Sequence, residues 1–202
     1  MDSARNFVGG PVVDVLSRYE PAGPAEAADA RRVRELAGGG GDPWLRSTPL
    51  HTTASALIVH PPTRRVLLRR HPRQRSWLQV GGHGDPGESD PASIALREAV
   101  EETGLGDLKP WPDASLLQVV IVPVAAGRGE PAHEHADLRF VFATDAPDAA
   151  RPENPEAPLR WLTVAEALEI TAEANVREAL RRVARLLDQG GPAPAGGPAT
   201  RL

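Results

Sequence analysis

Asp90-Pro91 and Gly104 bracket the segment that most limits how this chain can fold. An acidic N-cap followed by proline at the first helical position starts a helix, and glycine stops it. At about 100° per residue, Glu98, Glu101 and Glu102 fall on one face, within a sector of about 100°. Ala92, Ala95, Leu96, Ala99, Val100 and Thr103 fall largely on another face, which can pack on a sheet. The chain must therefore offer an apolar sheet to one side of this helix and leave three carboxylates on the other.

The flanking segments supply such a sheet. "TTASALIVH", the turn "PPT" and "RRVLLRR" read as a hairpin starting at Thr52. "SWLQVGG" reads as a short strand entering a glycine turn. "SLLQVVIVPVAA" and "DLRFVFATD" read as two more strands, joined by a polar loop containing "GRGEPAHEHA". "PLRWLTV" leads into a helix near Val164–Ile170, and Asn175 to Leu187 has helical spacing of Val176, Ala179, Leu180, Val183 and Leu187. Upstream, a helix from Ala25 to Leu36 ends at Gly38–Gly41. This order predicts an α/β (α+β) fold with a mixed sheet sandwiched between helices. Residues 1–50 form a partly helical extension and 51–188 the main domain. Residues 189–202, with the low-complexity end "GGPAPAGGPATRL", form a tail expected to be disordered.

The stretch "GGHGDPGESDPASIALREAVEETGL", Gly81 to Leu105, carries six acidic side chains. Crowded carboxylates raise one another's pKa unless a positive partner sits among them. A hard divalent cation fits an all-oxygen donor set, and Mg²⁺ combines carboxylates with waters and substrate phosphates; Mn²⁺ is a possible substitute. The glycine pair lets backbone approach the same ion, and Arg97 can orient one carboxylate. A solvated acidic helix face is the commoner origin of any single glutamate here. It does not account for the combination of Gly81-Gly82, Glu88, Arg97-Glu98, Glu101-Glu102 and Gly104.

That combination resembles the signature of the Nudix hydrolases, G-x5-E-x7-R-E-U-x-E-E-x-G-U, where U is aliphatic. Gly82-x5-Glu88 matches, and so does Arg97-Glu98-Ala99-x-Glu101-Glu102-x-Gly104-Leu105, with alanine a weak U. Eight residues separate Glu88 from Arg97 where the pattern has seven. The extra residue sits beside Asp90-Pro91, so it spares the helical set and leaves the role of Glu88 open. "HTTASALIVH", "WLQVGGH" and "HEHADLRF" are similar to a MutT-like bacterial subgroup whose substrates are mostly unassigned.

The resemblance implies Mg²⁺-dependent hydrolysis of a nucleoside diphosphate linked to another group. Glu98, Glu101 and Glu102 map onto the metal-binding glutamates and the Gly81 carbonyl onto a backbone ligand, with Glu98 also orienting or deprotonating the water. In many relatives the base is an acid before the late Trp-containing strand, for which Glu153 and Glu156 are the candidates, set against two exposed loop acids. Isomerases of the isopentenyl diphosphate type share the fold but rely on cysteine, and this chain has none. The remaining alternative is a catalytically silent ligand-binding or regulatory Nudix domain. Such domains lose signature glutamates, and here they are intact.

Several other residues are candidates for substrate contact. His133, His135 and Asp137 are two apart, so a strand points them one way, toward phosphate or a second metal, against the plainer reading of a polar loop edge. His83 follows the glycine pair. Arg70 belongs to the basic run Arg69, Arg70, His71, Arg73, Arg75, which can steer anions or simply lie in a solvated loop. Trp44 and Trp111, beside prolines, are the candidates for stacking on a base; Trp77 and Trp161 read as core or cleft wall. The net charge of -4 and the lack of a basic stripe speak against nucleic acid. The absence of a signal-like or membrane-length apolar run predicts a cytoplasmic protein. Residues 25–49 either cover one end of the sheet or contribute to a homodimer.

Overall fold

Leu50–His60 is buried over nearly its whole length, and it forms the central strand β1. A strand buried on both sides needs helices on both sides. In the computed structural model, which describes residues 12–127 and 129–190, that is the arrangement found. β1 pairs in parallel with β7 (His133–Ala143), from Leu50 opposite Glu134 to Val59 opposite Ala143. Antiparallel strands complete the sheet. β2 (Arg65–Arg70) pairs with the end of β1, and β4 (Val80–His83) with its beginning. β3 (Trp77–Leu78) and β8 (Leu159–Thr163) pair with β2, while β5 (Lys109–Pro110) and β6 (Gln118–Val124) pair with β7. The eight strands form one mixed sheet, as the sequence predicts.

Side-chain alternation along β1 and β7 sorts two cores. Ala54, Ala56, Ile58, Leu138, Phe140 and Phe142 face α1 (Val12–Ser17), α2 (Pro24–Gly38) and α3 (Pro91–Thr103). Leu57, Val59, Val66, Leu68 and Val141 face α4 (Val164–Ile170) and α5 (Ala174–Gly190). Small residues meet where α3 crosses the sheet: Ala92, Ala95 and Ala99 against Ala54 and Ala56, all buried. That brings the helix backbone close to β1 and fixes where its opposite face emerges.

α2 lies against the edge strand β6. Asp29 accepts the Ile121 amide at 3.0 Å, and the Tyr19 hydroxyl accepts the Val119 amide at 3.1 Å. Unpaired edge amides invite aggregation, and here side chains of the leading segment occupy them. Arg182 of α5 closes the corner by binding Glu26 at 2.7 Å. The leading segment therefore covers one end of the sheet, the first of the two roles expected for it.

Four details depart from the sequence reading. His133–Ala136 is the start of β7 rather than part of the polar loop, because its backbone pairs with both β1 and β6. Trp44 is 5% exposed, its indole against Gly84, so it is core and not a stacking platform. Trp111 is partly buried against the second core cluster. The expected disordered tail lies outside the described residues beyond Gly190, and the last helix runs three residues past Leu187 to reach Gly190.

Candidate active site

α3 forms as its ends dictate. Asp90 accepts the Ser93 amide, Pro91 holds the first turn, and Gly104 (φ 68°) ends the helix in the left-handed region that glycine tolerates. The positive partners among the crowded glutamates are two arginines. Arg97 is a hub: its guanidinium binds Glu88 at 3.0 Å, Glu98 at 3.1 Å, Glu101 at 2.9 Å and the His83 carbonyl at 2.8 Å. Glu88 thus reaches the site despite the extra residue between it and Arg97. Arg69, at the end of β2, binds Glu102 at 2.8 Å, and the other oxygen of Glu102 accepts the Gly81 amide at 3.2 Å.

Each carboxylate has a different environment. Burial pushes Glu102 up to about 7, against the pull of Arg69. Burial also raises Glu98, with Arg97 opposing it. For Glu88 burial acts in the same sense, but hydrogen bonds from Arg97 and the Asp85 amide overcome it and hold the carboxyl low. Glu101 is half exposed. Glu98, Glu101 and Glu102 gather carboxylate oxygens on one face of α3, a donor set that a hard divalent cation fits chemically.

The glycine pair divides two tasks. A Cβ on Gly82 would lie 2.6 Å from the Glu98 carboxylate, so this glycine makes room for the acid. Gly81, at φ 150°, would bring a Cβ to 2.5 Å from the Ala54 carbonyl oxygen, so it makes room for β1.

Of the two loop acids, the structure brings Glu153 to α3. Its amide donates to the Glu102 carbonyl at 3.3 Å, beside an Arg151 amide bonded to the Thr103 carbonyl at 2.7 Å, and its charge acts on Glu102. Glu156 is exposed, its amide turned to Asn154. Within the basic run, Arg69 meets the glutamates while Arg70 points to solvent. β-strand alternation separates these neighbours, and the register was not readable from the run itself.

His83, His133 and His135 come together at the end of the sheet where β1 and β7 begin, and His51 joins them. Burial lowers His83 to about 3 and His135 to about 4, and lowers His51 as well. His51 was missed because nothing local marks it. The available signal was that histidines stand at the ends of three predicted strands.

This fold and signature define a diphosphate-cleaving hydrolase of the Nudix type. The NUDIX domain model matches residues 49–183, and the chain belongs to that family. A probable DHNTP pyrophosphohydrolase from Lactococcus lactis subsp. cremoris is 31% identical over 125 residues, 59% of this chain and 68% of that protein. Among solved structures, an Ap4A hydrolase binary complex from C. elegans superposes with a TM-score of 0.54 at 21% identity, covering 68% of this chain and 98% of that one. The dihydroneopterin triphosphate pyrophosphohydrolase of E. coli gives 0.51 at 19%, covering 67% and 94%. These two structural likenesses speak for the fold. Among the described residues no helix is long and apolar enough to cross a membrane.

Proposed function

We propose that this chain is a Mg²⁺-dependent pyrophosphohydrolase acting on a small nucleoside diphosphate derivative or a nucleotide-like diphosphate. The observation that carries the reading is Arg97, which gathers Glu88, Glu98 and Glu101 on one guanidinium beside the Gly82 gap. A solvated helix face has no need of such convergence. Family membership and the intact glutamates favour an enzyme over a silent binding domain.

Glu98, Glu101, Glu102 and the Gly81 carbonyl are the proposed holders of the ion. When bound, it neutralises diphosphate oxygens and acts as a Lewis acid on them. The chain's own groups do the rest. Glu88 fixes the guanidinium of Arg97, and Arg97 sets the orientation of Glu98. A carboxylate takes the proton as water oxygen bonds to phosphorus and the bridging P–O bond breaks, releasing two phosphate products. Glu98 holds that role in the proposal, with Glu153 as the alternative base because its loop lies on Glu102.

The names of the relatives suggest two substrates to include in the test, dihydroneopterin triphosphate and Ap4A. A Mg²⁺-supplemented screen should add NTPs, oxidised nucleotides, ADP-ribose and nucleotide sugars, following release of phosphate, pyrophosphate or mononucleotide. Turnover of at least one diphosphate, abolished by chelator and restored by Mg²⁺ or Mn²⁺, is expected. Tight binding of these compounds without cleavage would favour the silent domain instead.

A further inference from the structure

We propose that His51, His83, His133 and His135 form a second metal site, for a borderline divalent ion of the Zn²⁺ class, apart from the glutamates of α3. The ligands are preset by strand register. His51 opposes His135 across the parallel β1–β7 pair, and His83 ends β4 opposite Thr53, on the same sheet face. His133 lies two residues before His135 on that face. Among the described residues, the three histidines whose ligand atoms lie within 4.8 Å of one another are His51, His133 and His135.

Distances and tautomers agree with a shared ion. The Nε2 atoms of His51 and His83 are 3.1 Å apart, as are those of His133 and His135. Four nitrogens around a tetrahedral ion at about 2.0–2.1 Å are separated by about 3.3 Å, so two edges of the tetrahedron are nearly in place. His51, His133 and His135 supply the compact set, and His83, whose Nε2 lies 3.1 Å from that of His51, would complete the four by turning its ring toward the other two. Behind the rings, Nδ1 of His51 lies 3.0 Å from the Thr48 carbonyl and Nδ1 of His133 lies 2.9 Å from the Pro131 carbonyl. A carbonyl only accepts, so each Nδ1 carries the hydrogen and each Nε2 presents a lone pair inward. This backbone support is the arrangement that orients ligating imidazoles. Hydrogen bonding alone would require His83 and His135 each to adopt the opposite tautomer, whereas one ion satisfies all four rings together.

The donor set also selects the ion. Four imidazole nitrogens suit Zn²⁺, Co²⁺ or Ni²⁺ and suit Mg²⁺ poorly, since Mg²⁺ prefers oxygen and retains its waters. His51 is 1% exposed while its three neighbours are half-buried, so the site has a solid floor and an open mouth. The acid on the same face of β7, Asp137, is committed to Ser55 at 2.8 Å and Arg139 at 2.7 Å, while Glu134, between the two histidines on the opposite face, binds Arg32 at 2.6 Å. The ion would tie the beginnings of β1 and β7 to the end of β4, whose His83 carbonyl holds Arg97 at 2.8 Å.

The test uses the untagged full-length chain, stripped with dipicolinate and titrated with Co²⁺. A visible absorption of four-coordinate Co²⁺ that saturates at one equivalent per chain is expected, displaced by Zn²⁺ and not by Mg²⁺. His133→Ala and His135→Gln should each weaken Co²⁺ binding by about tenfold or more, while Glu98→Gln leaves it unchanged. Long-range ¹H–¹⁵N spectra of the unmodified protein supply a measurement independent of how the variants fold: Zn²⁺ should move the four Nε2 resonances. Absence of the visible band together with unmoved Nε2 signals would overturn the proposal. So would a band that survives in folded His133→Ala/His135→Gln protein.

Discussion

Glu102 is held between Arg69, 2.8 Å from one of its oxygens, and the Gly81 amide, 3.2 Å from the other. The side chains of this ion pair are 11% and 15% exposed, so both groups are largely shielded from water. Removing one partner of a buried pair leaves the other uncompensated, at a typical cost of about 3–5 kcal/mol. Partial exposure reduces that figure. Arg69→Met is expected to destabilise the protein by about 1–3 kcal/mol at neutral pH, and Arg69→Met/Glu102→Gln by less than the single change. Urea unfolding of the two singles and the double measures this. A loss in the double variant equal to the sum of the two single losses would show that the two residues are not coupled.

Gly81 and Gly82 should respond oppositely to alanine. At Gly82 the new methyl meets the movable end of Glu98 at 2.6 Å, so the carboxylate shifts and the fold gives little. Gly82→Ala is expected to lower kcat by about 10²-fold or more, the scale of a lost acid–base group, with a stability change under about 1 kcal/mol. Gly81→Ala adds positive-φ strain to a 2.5 Å clash with backbone, which calls for a loss of about 2 kcal/mol or more. Thermal melts and single-substrate kinetics on both variants distinguish the two roles.

Glu153 and Glu156 were indistinguishable as loop acids, and only one of them packs on α3. Glu153→Gln is expected to lower kcat and to move the acidic limb of its pH profile, because its charge acts on Glu102. Glu156→Gln should leave both unchanged. A matching loss in Glu156→Gln would place the base elsewhere on the loop.

Acid should loosen the corner joining α2 to α5. Burial raises the Glu26 carboxyl, but Arg182 and Tyr19 more than offset this and hold it below its ordinary value. A carboxyl depressed in the folded state contributes stability that is fully present above its unfolded pKa. That contribution is lost as pH falls through the folded pKa. Wild-type stability is therefore expected to fall below the ordinary carboxylate range. Glu26→Gln should cost about 1–3 kcal/mol at pH 7, and the difference from wild type should shrink toward low pH. Denaturant curves at several pH values check the convergence; a difference that persists at low pH would rule out the charge as its origin.

The elements that depend on local chemistry were legible in the sequence. Asp90, Pro91 and Gly104 dictate where α3 starts and stops, and helical periodicity alone places Glu98, Glu101 and Glu102 on one face. The short strand β5 and the helix α1 were not read. β5 is two residues long and forms through pairing with Phe142 and Ala143, while α1 has one short turn's worth of apolar residues that matter only against α2 and the sheet.

What the sequence determined by itself was the family, the acidic helix face and the mixed sheet beneath it, because caps, glycines and periodicity act over a few neighbouring residues. The tertiary structure decided which cations meet those acids, which loop acid approaches α3, and that His51 faces His135. The physical reason is register: a one-residue shift in strand pairing reverses every side chain, and Arg69 rather than Arg70 meets Glu102 on that basis. Contacts between β1 and β7 join residues more than eighty positions apart, and no local pattern encodes that pairing.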